Sequence, residues 1–147
     1  MKLLRPCLGG LLAVGLFLVP VSSEAASIRL GLGADYWFDE GAAFQGTLGV
    51  ETHLAGPLHL GGRFGVAFLT EQSTLGIPID LVLSLNLSRN FYLEGLVGPW
   101  IVIDRGETLR AHAAFGFGIK SGALTFGLEV GYATPEPILG VRLGYRF

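Results

Sequence analysis

Beyond its first 26 residues this chain has no cysteine, and its sole cysteine, Cys7, stands inside a hydrophobic leader. Disulfide frameworks and thiol chemistry are thereby excluded from everything downstream. Charge is scarce as well. Asp, Glu, Lys and Arg make up 15% of the sequence, against about a quarter in ordinary globular chains. Mean hydropathy is +0.55, and a net charge of −2 leaves no basic excess for nucleic acid. A third absence decides the class. After the leader no apolar run approaches the roughly 20 residues that a membrane-crossing helix requires. A hydrophobic exported chain without such a helix has one other way to sit in lipid, a closed β-barrel, because lipid offers no partner to an unpaired backbone group.

The leader carries the export reading. Lys2 and Arg5 give a positive start, Leu8 to Val21 is an uninterrupted run of mostly apolar residues, and Ser22-Ser23-Glu24-Ala25-Ala26 supplies small residues for cleavage after Ala25 or Ala26. Charge, apolar core and small-residue site in that order describe a removable secretory signal. Cys7 precedes the apolar core, so it is not placed as a lipoprotein cysteine. The expectation is a cleavable signal over 1–26 and a single barrel domain over 27–147.

Period-two alternation runs through that domain, in segments near 28–38, 43–54, 58–70, 79–87, 91–102, 109–120, 123–134 and 138–147. Each approximates the 9–11 residues of a tilted membrane strand. One phase carries no charge; in the fourth segment it reads Ile79, Leu81, Leu83, Leu85, Leu87. The other phase holds all eleven charges of the segments: Arg29, Asp35, Glu51, Arg63, Asp80, Glu94, Arg110, Lys120, Glu129, Arg142 and Arg146. A soluble barrel also has two faces, so alternation alone does not place the chain in lipid. Glycines such as Gly33, Gly116 and Gly140 fill the charged phase, where a cramped interior needs room for long neighbours. Aromatics on the apolar phase gather near segment ends, with Tyr36, Phe38, Phe44, Phe68 and Tyr132 toward one rim. Phe91, Phe126, Tyr145 and Phe147 gather toward the other, as at a lipid–water boundary. The predicted fold is an all-β, eight-stranded antiparallel up-and-down transmembrane barrel.

Ala55-Gly56-Pro57, Ser88-Arg89-Asn90 and Ser121-Gly122 have tight-turn chemistry, while the connections at 39–42, 71–78, 103–108 and 135–137 are mostly longer. Short turns face the periplasm in bacterial barrels. That expectation puts both ends of the domain in the periplasm and Asp39, Glu40, Glu71, Asp104, Glu107 and Glu136, with Arg105, on the outside.

The closing pattern Leu139, Val141, Leu143, Tyr145, Phe147 resembles the signal read by the outer-membrane assembly machinery. The chain from residue 27 onward resembles the small eight-stranded outer-membrane proteins of the OmpA/OmpX type, with shorter loops than the protruding hairpins of OmpX-like proteins. The resemblance implies an outer-membrane location, with outer-membrane lipids and the assembly machinery as partners, and a monomer.

Several groups are candidates for chemistry. The interior set holds six positives and five negatives, a balance that suits a plugged lumen; a one-sign surplus would suit an ion or solute path. Hairpin counting sets Glu129 opposite Arg142, Glu51 diagonal to Arg63, and His53 opposite His59. Two imidazoles are short of the three or four ligands of a zinc site, so the pair reads as interior polar residues, as does His112. Trp100 points inward by parity, yet Pro99 beside it marks a place for a bulge that would turn it outward. A lipid-modifying enzyme needs a nucleophile and base facing the bilayer. The apolar phase offers no His, Ser, Asp or Glu, and a hydroxyl such as Thr52 is a weak nucleophile without a base. Gly116-Phe117-Gly118 has no helix behind it to receive a phosphate. The reading is a non-enzymatic barrel with a packed polar lumen, no cofactor, no metal and a structural or surface-interaction role. A narrow channel is the alternative, and a lipid-active enzyme comes third.

Overall fold

A computed structural model describes residues 26–71, 73–103 and 108–147. The leader, apart from Ala26, lies outside the described residues, as do Asp104, Arg105 and Glu107.

Eight strands follow one another: β1 (Ser27–Trp37), β2 (Gly41–Ala55), β3 (Leu58–Leu69), β4 (Thr74–Asn86), β5 (Phe91–Ile103), β6 (Leu109–Ser121), β7 (Leu124–Ala133) and β8 (Glu136–Arg146). Each pairs antiparallel with the next, and β1 pairs with β8 from Arg29↔Arg146 to Trp37↔Ile138, which closes the barrel. Closure leaves no unpaired edge, as lipid demands.

The alternation maps onto two faces as expected. Large apolar side chains stand exposed on all eight strands, from Leu32 and Phe64 to Leu83 and Val141, whereas Asp35, Glu51, Arg63, Asp80, Glu94, Arg110 and Glu129 are buried. An apolar wall of this extent has no place in water. The interior glycines make room as predicted. A side chain at Gly116 would meet the Glu94 side chain at 2.8 Å, and one at Gly33 would meet the Arg142 guanidinium at 2.7 Å.

Two boundaries differ from the sequence reading. Strand β4 begins at Thr74, five residues before the expected 79, because Gly76 and Pro78 point inward within a strand rather than making a turn. Pro78 has no N–H to give, and the β3–β4 ladder skips the positions around it. Strand β8 begins at Glu136, so Ala133 pairs with Glu136 and Glu129 lies opposite Gly140, two residues out of the expected register with Arg142. With these strands in place, the connections at 38–40, 70–73, 104–108 and 134–135 are barely longer than those at 56–57, 87–90 and 122–123. The expected contrast in connection length nearly vanishes. The end holding Ser27 and Phe147 is termed the proximal mouth, and the other the distal mouth.

Candidate functional site in the barrel lumen

The lumen is filled in three layers. The distal layer is apolar and aromatic. Trp37 of β1 and Trp100 of β5 are fully buried with ring centroids 5.3 Å apart, and His112 of β6 packs against Trp100 at 5.2 Å, each pair of rings inclined at 51°. Ala43, Ala67, Leu69, Ala133 and Ile138 complete the cluster. The alanines and Gly76, whose missing side chain faces Leu69 and Trp100, leave the space that two indoles need. Trp100 therefore points inward: Pro78↔Trp100 and Pro99↔Ala111 keep the ladder in step, so no bulge turns it to lipid. Trp37 shares the parity of Asp35 and points inside with it. Above this layer Arg110 lies over the Trp37 ring at 5.2 Å and donates twice to Glu40, at 2.6 and 2.7 Å. Glu40 and Glu136, expected outside, both turn inward: Glu136 is buried on the inward phase of β8 and accepts from the Asp39 amide at 3.1 Å, so the charge set holds seven acids and six cations.

The middle layer is a chain of ion pairs. Arg63 of β3 donates to Asp80 of β4 and to Glu129 of β7, each at 2.9 Å. Arg142 of β8 reaches Glu129 at 2.8 Å and Asp35 of β1 at 2.6 Å. Gln45 donates to Asp35, and His112 Nδ1 lies 2.6 Å from Asp80 Oδ1. The expected Glu129–Arg142 contact exists, though diagonally, because a guanidinium stem spans the two-residue offset. Glu51 and Arg63 are diagonal as predicted, with Gly61 and Gly49 as their direct partners, yet they do not pair with each other. Each reaches instead toward other strands across the lumen. His112, expected only to line the lumen, joins the aromatic and ionic layers.

The proximal layer holds Arg29, which pairs with Glu51 and, at 3.1 Å, with Glu94, while Arg146 reaches Glu51 at 3.3 Å. Arg29 and Arg146 face each other directly across the β1–β8 seam, and the shared Glu51 offsets their repulsion. Lys120 donates to Asn86 and lies over the Tyr92 ring at 5.2 Å. Between the proximal and middle layers is a void of about 30 Å³ bordered by Arg29, Glu51, Arg63, Glu94 and Arg142, large enough for water and too small for a solute.

His53 and His59 are direct cross-strand partners, as predicted, with ring centroids 5.4 Å apart at the proximal mouth. Leu139, Val141, Leu143, Tyr145 and Phe147 all project from the outer face of β8 and its end, and the Phe147 amide donates to the Ile28 carbonyl at 2.9 Å.

A closed, eight-stranded antiparallel wall, apolar outside and charged within, settles the architecture. The chain has the fold of the small transmembrane β-barrels. Solved structures agree on this. A de novo designed barrel, TMB2.3, matches with a TM-score of 0.67 at 16% identity, over 86% of this chain and 98% of that one. The outer membrane protein Ail of Yersinia pestis matches with a TM-score of 0.58 at 12% identity, over 83% and 98%. The outer membrane enzyme PagL matches with a TM-score of 0.56 at 14% identity, over 82% and 98%. No family profile matches the chain, and a comparison with curated proteins finds none similar to it. An outer membrane enzyme and a designed chain share this wall, so the wall by itself carries no activity.

Proposed function

We propose that the chain is a sealed outer-membrane barrel, exported by residues 1–26, inserted by the assembly machinery through Leu139, Val141, Leu143, Tyr145 and Phe147, and serving as a monomeric structural element among outer-membrane lipids. The reading has no enzymatic step and no cofactor. The observation that carries it is the filling of the lumen, where the close-packed Trp37–Trp100–His112 layer rests on the Asp35–Arg142–Glu129–Arg63–Asp80 chain. An ion crossing this lumen would have to displace packed rings and break coupled pairs in low dielectric. Distal connections of five residues or fewer offer little surface to a macromolecular partner, which favours the structural role over adhesion.

Planar-bilayer recording tests the seal. The wild type is expected to pass no steady current, while Trp37→Ala/Trp100→Ala should show openings. A stable ohmic current from the wild type would replace this reading with the narrow channel. Fractionation tests the location: the folded protein is expected with outer membranes, and recovery in the soluble periplasmic fraction would overturn it.

A further inference from the structure

The outer wall is furrowed, and the closed ladder sets the direction of the furrows. Followed partner by partner from Ser27, the ladder passes Glu51 and Gly61, crosses β4 at Val82, and returns to β1 at Trp37. One circuit therefore climbs from the proximal to the distal end of β1. A furrow between neighbouring ladder rows accordingly rises from the proximal side as it passes from β5 to β7. One such furrow, of about 390 Å³, lies between the row Phe91, Ile119, Phe126 and the row Leu93, Phe117, Leu128. Both banks are apolar side chains of the outer face.

A cation stands at the low end of this furrow. Leu87 and Phe91 both border it. The connection between them carries Arg89, the one charged residue in the proximal connections 56–57, 87–90 and 122–123. Arg89 is exposed, and among the described residues its guanidinium takes part in no hydrogen bond or ion pair. The turn that carries it is fixed. Ser88 Oγ accepts from the Asn90 and Phe91 amides at 3.2 and 3.1 Å, and Asn90 bonds both backbone groups of Lys120 on β6. The larger hollow over Gly46, about 560 Å³, reaches the proximal side at Leu124, beside the uncharged Gly122-Ala123 connection. The distal end carries acids instead, among them Asp39, Glu71 and Glu136.

We propose that this furrow seats an acyl chain of a phospholipid with a net negative headgroup, whose phosphate meets Arg89. The seat deepens the reading above and rests on its lipid-facing wall. Such a lipid joins an interfacial anion to a hydrocarbon chain, and here an interfacial cation adjoins an apolar furrow. A guanidinium takes phosphate oxygens in pairs, and its stem can follow apolar surface while its charge stays wet. A net negative headgroup is favoured over a zwitterionic one because no acid in the 87–90 connection would meet the ammonium. A second copy of this chain docked symmetrically through the furrow would set Arg89 against Arg89, which disfavours that occupant.

The test uses the chain from residue 27 onward, folded in phosphatidylcholine nanodiscs that hold a small fraction of phosphatidylglycerol. The phosphatidylglycerol carries a nitroxide on one acyl chain, and paramagnetic broadening of side-chain methyl signals is read by NMR. Broadening at Leu93, Ile119 and Leu128 is expected to exceed that at Leu32 and Val66, which border the hollow over Gly46. Arg89→Gln should lower the enrichment at the furrow about fivefold, the worth of one interfacial cation facing an anionic lipid, and Arg89→Lys should keep most of it. Nitroxide-labelled phosphatidylcholine should match the Arg89→Gln level. Equal broadening around the wall, or equal enrichment for Arg89→Gln and wild type, would overturn the seat and leave the lipid-facing wall intact. Contacts between copies at Leu93 and Leu128, seen as intermolecular cross-peaks, would give the furrow to a second copy and overturn the seat as well. An outer face that shows no broadening anywhere would overturn the lipid-facing wall and the seat with it.

Discussion

The distal and middle layers of the lumen close the same hole by opposite means. Around Trp37 and Trp100 the filling is apolar and adjustable, because neighbouring alanines can accept a ring of different size with modest repacking. Around Arg63 and Glu129 it is a network in which each charge is compensated by particular partners on other strands. Changing one member there does more than leave a gap; it leaves an uncompensated charge away from bulk water. The apolar layer should therefore tolerate conservative substitution, and the ionic layer should not.

Arg63→Met breaks this comparison most directly. It roughly keeps the volume and removes the charge that faces both Asp80 and Glu129. Losing one member of a buried pair costs about 3–5 kcal/mol, measured as urea unfolding in lipid vesicles followed by tryptophan fluorescence. A loss under about 1 kcal/mol would show a wet middle layer behaving like surface pairs, and the sealed reading would fall with it.

A second change moves to the outer wall, where charge has no partner at all. Leu81 lies near the middle of β4 on the exposed face. Leu81→Arg should cost about 2–4 kcal/mol at the bilayer midplane in the same unfolding assay. Absence of a penalty would mean that this face does not meet lipid.

Trp100→Phe is the matched test in the apolar layer. A volume-reducing but apolar change that the cluster can repack around should cost under about 1.5 kcal/mol and leave bilayer recordings silent. A loss as large as that of Arg63→Met would erase the difference between the layers.

Much of this was legible in the sequence, for an identifiable reason. Side-chain direction in a strand is set by parity alone, so the eleven charges, the apolar face and the His53–His59 pairing followed from counting. Register depends on where turns close. Glu136 and Pro137 read as turn residues but pair with Ala133 and Tyr132, which moved Glu129 by two positions against β8. Gly76 and Pro78 likewise masked the start of β4. The ion-pair partners were least legible of all. Arg63 and Glu129 are 66 residues apart and meet across the lumen, where contact depends on the tilt of the closed barrel. No local pattern encodes that distance. Trp37, by contrast, follows from parity, although its neighbours Tyr36 and Phe38 belong to the outer girdle and mask it in the sequence.

The smallest expected effect on stability concerns β8. Its lumen side is fastened by Arg142 to Asp35 and Glu129 and by Arg146 to Glu51, while its lipid side carries Leu139 through Phe147. If the inner pairs hold the seam, the terminal aromatic contributes little to the folded barrel. Phe147→Asp keeps the backbone N–H that meets Ile28 and places a charge only at the interface, where the cost is about 0–1 kcal/mol. Refolding into detergent should therefore be nearly unchanged. In cells the same substitution should sharply lower the amount inserted, since the proposed assembly signal loses its last apolar position. Equal insertion of Phe147→Asp and wild type, read as the heat-modifiable band in outer-membrane fractions, would reduce Phe147 to a girdle residue and move the signal, if any, elsewhere in β8. Normal insertion with poor detergent stability would instead show that the seam leans on its lipid face more than on its ion pairs.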